Sequence, residues 1–86
     1  MKELMLIINP VAGRGMYKLG FAEALETLSA GGWRTTLFYS THAGEPAEFA
    51  QAHAKDFDGV ACIGGDGTLS DVVGGLMRAG DRKSVV

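Results

Sequence analysis

Eighty-six residues suffice for one small core, or for half of an ordinary domain of about 100–150 residues. At 47% hydrophobic the chain is no disordered tail. Eight Lys and Arg against ten Asp and Glu, a net charge of −2, leave no basic stripe for nucleic acid or an anionic membrane surface. One cysteine excludes an internal disulfide, and the apolar run at residues 4–8 is too short for a membrane span and lacks a cleavage site after it. A soluble, cytoplasmic setting is therefore expected.

In chain order, residues 4–8 (LMLII) form a continuous apolar run stopped by Asn9-Pro10, as expected of a strand buried on both faces. Residues 16–30 then place Tyr17, Phe21, Ala24, Leu25 and Leu28 at helical intervals, and Gly31-Gly32 ends that helix. Residues 34–40 (RTTLFYS) are β-branched and aromatic and predict a second strand. After a turn, Pro46 suits the first position of a helix reaching about Phe57, with an apolar stripe at Ala47, Ala50, Ala54 and Phe57. Residues 59–63 (GVACI) predict a third strand. The third helix is expected from about Thr68 to Ala79, burying Leu69, Val72, Val73, Leu76 and Met77, with Gly74 and Gly75 allowing close packing. Ser84, Val85 and Val86 resemble the opening of a fourth strand. Cys62, inside an apolar run, is expected to be a core residue.

Strands and helices that alternate in this way predict an α/β fold, a three-layer parallel sheet with right-handed crossovers. All three strand-to-helix loops must then lie at the C-terminal edge of the sheet, where open α/β sheets bind ligands. Thirteen glycines are the unusual feature of the composition, and several cluster in two of those loops: Gly13 with Gly15, and Gly64 with Gly65 and Gly67.

The last loop, GGDGT, is built to let the backbone approach a ligand. The amides of Gly67, Thr68 and Leu69 are expected to be free at a helix N-terminus, where the dipole favours phosphate. Asp66 would repel a bare phosphate, unless it holds Mg²⁺ or accepts the proton of an attacking hydroxyl. The structural alternative is that Asp66 or Thr68 caps the helix. In the first loop, Asn9 offers a donor and acceptors, Gly13 and Gly15 a tight turn, and Arg14 a planar fork for phosphate oxygens. Thr41 and the amides of Gly44 and Glu45 form a weaker phosphate contact in the second. His42 and His53 show no metal-ligand spacing and are expected at the surface, while Trp33 and Tyr39 pack rather than stack on a base. The dinucleotide fingerprint fails at Lys18, and the P-loop pattern fails at Phe21, which counts against a dinucleotide oxidoreductase.

With NPVAGRG after the first strand and GGDGTLSDVVGGL opening the third helix, the chain resembles the diacylglycerol kinase catalytic domain family across essentially its whole length. That family is distantly akin to NAD kinases and phosphofructokinases. The resemblance implies that residues 1–86 are the nucleotide-binding front of such a domain, incomplete because a later Gly-Thr-x-Asn loop and a mostly β second domain do not follow. It also implies ATP- and Mg²⁺-dependent phosphorylation of a lipid hydroxyl by the parent protein, in phospholipid metabolism. Peripheral membrane contact would come through the second domain. Carried over by position, Asn9, Gly13, Arg14, Gly15, Thr41, Gly64, Gly65, Gly67 and Thr68 contact the nucleotide. Asp66 serves phosphoryl transfer, as metal ligand or as base. Relatives often have Asn-Glu-Val-Val-Asn where this chain has Ser70, Asp71, Val72, Val73 and Gly74. The alternatives are an NAD kinase-like relative and a non-catalytic nucleotide-binding fragment.

Overall fold

The computed structural model describes residues 1–11, 17–81, 83 and 85–86. Its element order is β1 (Lys2–Ile8), α1 (Phe21–Ala30), β2 (Trp33–Tyr39), α2 (Glu45–His53) running into a 3₁₀ turn (Ala54–Asp56), β3 (Gly59–Ile63) and α3 (Asp66–Arg78). The expected alternation holds, and every strand pairing is parallel, in the order β2-β1-β3.

That order determines where the helices go. From β1 the chain moves outward to β2, then crosses back over β1 to β3. Two crossovers of one hand running in opposite directions must use opposite faces of the sheet. The side chains agree. Met5 and Ile7 on one face of β1 join Val60, with Ala50 and Ala54 from α2 and the following turn, and Val72 and Leu76 from α3, in one buried core. Each large side chain buried there is worth about 1.5–3 kcal/mol relative to exposure. Leu4 and Leu6, which alternate with them, face α1 through Phe21, Leu25 and Leu28. β1 is thus buried from Leu4 to Ile8, as its unbroken apolar run predicts.

Two glycines permit close approaches. A Cβ at Gly75 would collide with the Ala47 main-chain carbonyl, so α2 and α3 meet backbone to backbone there. Gly74, by contrast, has only the tip of Arg78 within reach, at 3.9 Å. The expected role in packing therefore belongs to Gly75. On the other face a Cβ at Gly59 would lie 3.1 Å from the Trp33 indole, which spans from β2 across β1.

Several boundaries differ from expectation. Helix α1 begins at Phe21 rather than Met16, because Gly20 takes a left-handed conformation (φ +72°) at its N-cap and Tyr17-Lys18 form a separate 3₁₀ turn. β2 runs one residue earlier than expected. α2 starts at Glu45, placing Pro46 second, and tightens into the 3₁₀ turn from Ala54. α3 starts two residues before Thr68.

Its predicted buried stripe divides. Val72 and Leu76 are buried, but Leu69, Val73 and Met77 are exposed, Met77 at 74%. They share the flank of α3 that overhangs Asp81, Lys83 and Val85 rather than the sheet. Val85 makes an isolated parallel bridge to Val60, and Cys62 N–H donates to the Val86 carbonyl at 2.7 Å, so this segment runs parallel beside β3. Cys62 is half-buried against the core, and burial pushes its thiol pKa up, as befits a packing residue.

Candidate functional site

Parallel pairing places Ile8, Tyr39 and Ile63 at one edge of the sheet, and the chain leaves each of them into a loop. The loops after β1 and β3 are tied together where Asn9 N–H donates to the Ile63 carbonyl (2.9 Å). Beside this tie lies a cavity of about 430 Å³. Its walls are Asn9, Pro10 and Val11 after β1, Ser40 to Ala43 with Pro46 after β2, and Gly67, Thr68 and Asp71 on α3. This is the crevice expected where the strand order reverses beside β1.

The α3 wall is a bare helix N-terminus. Gly65, in extended backbone (φ −86°, ψ −170°), is the N-cap and offers no side-chain cap. The first main-chain bond runs from Leu69 N–H to the Gly65 carbonyl (3.2 Å), leaving the amides of Asp66, Gly67 and Thr68 without a main-chain partner among the described residues. The expected free set is thereby corrected by one turn position: Leu69 is engaged and Asp66 takes its place. Neither Asp66 nor Thr68 is the cap residue. Thr68 is buried at the third helical position, packed so tightly on Gly64 that a Cβ there would overlap its side chain. Gly64 is required for that contact. No described atom lies within 4 Å of where a Cβ would sit on Gly65 or Gly67.

The wall after β2 is organised differently. Thr41 donates both its N–H (2.6 Å) and its hydroxyl (3.0 Å) to Glu45 Oε1. Glu45 N–H donates to the His42 carbonyl (3.2 Å), and Gly44, at φ +85°, is the N-cap of α2. The Glu45 amide is thus spent inside the turn, against its expected part in phosphate contact. The main-chain hydrogen bond from Thr41, and then its hydroxyl, hold the Glu45 carboxyl below its ordinary pKa. His42 does have neighbours, which sequence spacing did not reveal. Its Nδ1 lies 3.9 Å from Glu45 and its Nε2 3.7 Å from Glu48, each nitrogen toward a different carboxylate. Ser40, at the end of β2, donates its hydroxyl to the Ile8 carbonyl (3.3 Å).

Of the residues singled out from sequence, Asn9, Thr41, Gly67 and Thr68 share the cavity. Asn9 Oδ1 accepts from Val11 N–H (3.3 Å), which leaves the side-chain NH₂ group as a donor. Gly64, Gly65 and Asp66 lie exposed at the mouth of α3, outside the cavity lining. Gly13, Arg14 and Gly15 lie outside the described residues. Sequence reasoning gave no site role to Ser40 or His42 and treated Asp71 only as a departure from the family pattern. Helical spacing carries the signal for Asp71, since it falls three and four residues beyond Thr68 and Gly67, on their face of α3.

Comparison with known proteins gives a consistent family. The profile of the diacylglycerol kinase catalytic domain matches residues 3–86. The chain is 34% identical over 86 residues to a diacylglycerol kinase of Bacillus subtilis (strain 168) and 30% identical over 82 residues to one of Staphylococcus aureus (strain JH9). It covers 99% and 94% of itself in these alignments, but only 28% and 26% of the relatives' length. A crystal structure of a diacylglycerol kinase from Bacillus anthracis str. Sterne superposes with a TM-score of 0.82 at 25% identity, over 98% of this chain and 31% of that one. The chain belongs to the diacylglycerol kinase catalytic domain family.

Proposed function

We propose that this chain supplies the nucleotide-binding loops of a lipid kinase that transfers a phosphoryl group from ATP to the hydroxyl of diacylglycerol or a related lipid, at the cytoplasmic membrane surface. The observation that carries the reading is the uncapped start of α3, with three amides lacking main-chain partners among the described residues beside a glycine-rich turn. A helix N-terminus of this kind stabilises phosphate oxygens through both its free N–H groups and its dipole. Family membership adds the lipid acceptor. No described helix is long and apolar enough to cross a membrane.

The residues fit a nucleotide accompanied by a divalent cation. Lysine and arginine are absent from the described cavity lining, and the Asp71 carboxylate stands in it. That carboxylate would repel a naked triphosphate more than a metal-bound one. Mg²⁺, when bound, neutralises charge on the transferring phosphoryl group. Asp66, exposed beside the free amides, would hold that cation or accept the proton of the lipid hydroxyl. The amides of Gly67 and Thr68 would orient the phosphates, and the NH₂ group of Asn9 would donate from the opposite wall.

The test is transfer of radiolabelled phosphate from ATP by protein carrying this chain, against diacylglycerol, sphingoid and polyprenol acceptors. Asp66→Asn is expected to lower transfer at least about 100-fold while changing nucleotide affinity by less than about threefold. Equal loss of both would give Asp66 a structural role. Tight NAD(H) binding with no transfer to any lipid would overturn the reading.

A further inference from the structure

The wall formed by the end of β2 has a fixed hydrogen-bond polarity. An ionised carboxylate only accepts, so the 3.0 Å bond between Thr41 Oγ1 and Glu45 Oε1 must be donated by the threonine. A hydroxyl has one proton, and that proton is now committed; lone pairs are all Thr41 can offer the cavity. Its N–H is committed to the same oxygen. Ser40 repeats the pattern one residue earlier, since the Ile8 carbonyl it bonds can only accept. Two adjacent hydroxyls on one wall are therefore acceptors toward any ligand. Across the cavity the opposite holds, because the start of α3 offers free N–H donors at Gly67 and Thr68.

We infer that Glu45 is a positioning residue which makes Thr41 an acceptor-only contact, so that Thr41 meets a donor group on the non-phosphate part of the nucleotide. That donor is a sugar hydroxyl or the amino group of the base. The inference rests on the nucleotide reading of this cavity and orients the ligand within it: phosphates toward α3, sugar or base toward the end of β2. It differs from the expectation that Thr41 binds phosphate, which would need a donor. The lowered pKa of Glu45 fits, because the carboxylate stays ionised, and so acceptor-only, at neutral pH.

The test is calorimetric affinity for ATP, 2′-deoxy-ATP, 3′-deoxy-ATP, ITP and inorganic tripolyphosphate, each with Mg²⁺, on protein carrying this chain and on its Thr41→Val, Thr41→Ser and Glu45→Ala variants. Circular dichroism would confirm that each is folded. The unaltered protein is expected to bind ATP roughly five- to tenfold more tightly than whichever analogue lacks the donor, the worth of about one hydrogen bond. Loss with a deoxy sugar identifies a hydroxyl, and loss with ITP identifies the base amino group. Thr41→Val should erase the discrimination and leave tripolyphosphate binding unchanged, Thr41→Ser should keep the discrimination, and Glu45→Ala should at least halve it. Equal affinity for ATP and all three analogues would overturn the inference while leaving the nucleotide reading intact. A parallel loss of tripolyphosphate binding in Thr41→Val would overturn it too, by making Thr41 a phosphate donor. Failure of the unaltered protein to bind any nucleotide would remove both.

Discussion

The loops that follow β2 and β3 start from similar material and end with opposite chemistry. Each has glycine at the N-cap of its helix, and neither helix has a side-chain cap. After β2, Glu45 at the first helical position turns back to bind Thr41, and the turn closes on itself. After β3 the first helical position holds Asp66, whose side chain is one carbon shorter and makes no such bond among the described residues, where the amides of Asp66, Gly67 and Thr68 also find no main-chain partner. A glycine-rich turn at a helix start is thus not in itself an anion site. What decides is whether the first-turn donors are already spent: at α2 the Glu45 amide bonds the His42 carbonyl and Pro46 has no N–H, whereas at α3 no described main-chain group takes them.

The largest effect is expected where the two loops are held at a fixed separation. The cavity lies between α2 and α3, and these helices touch at Gly75 and Ala47 without room for a methyl group. Gly75→Ala should cost about 3 kcal/mol or more in urea denaturation, because the obstructing atoms are main chain and cannot rotate aside. Gly74→Ala, one residue away and facing open space, should be neutral or stabilise by up to about 1 kcal/mol through helix propensity. Equal effects at the two positions would remove the close approach as the spacer between the loops.

A smaller loss should follow Gly64→Ala. The new methyl would displace the Thr68 side chain from its buried seat, costing about 1–3 kcal/mol and disturbing only the β3 loop. An unchanged unfolding midpoint would show that Thr68 can move aside freely, so that the open amides owe nothing to its seat.

The smallest effect concerns the β2 loop and acid. Since Glu45 has its carboxyl pKa lowered in the folded chain from an ordinary value of 4.5, its contribution to stability is fully present above that value. It is lost as pH falls through the lower folded value. The acid limb of the stability–pH curve below about pH 4.5 should therefore be shallower in Glu45→Gln, with little change in slope near neutrality. The same acid slope in both proteins would mean that the Thr41 contacts are not formed in solution.

Much of this arrangement is legible in the sequence because it follows from periodicity and connectivity. The unbroken apolar run of β1, the limits of β3, the alternation of elements and the gathering of three loops on one edge need only strand and helix periods and parallel pairing. What escapes such reasoning depends on side-chain direction or on neighbours distant along the chain. Gly20 and Phe21 look like the middle of a helix until the backbone is seen to turn left-handed at Gly20. The residues Asp66-Gly67 look like loop because glycine is a poor helix former, yet they form the first turn of α3. Leu69, Val73 and Met77 satisfy the helical period as well as Val72 and Leu76 do; only the position of the sheet beneath α3 separates the two groups. Glu45 binding Thr41 is a four-residue spacing shared by many surface pairs, and the strand end at Tyr39 gives it meaning.

The contrast between the loops is tested most directly by amide chemical shifts during titration of protein carrying this chain with inorganic tripolyphosphate and Mg²⁺. The largest changes should fall on the N–H groups of Asp66, Gly67 and Thr68, while those of Thr41 and Glu45, already engaged within the protein, move far less. Changes centred on Thr41 and Glu45, with Gly67 and Thr68 unmoved, would contradict the assignment of the anion site to the start of α3.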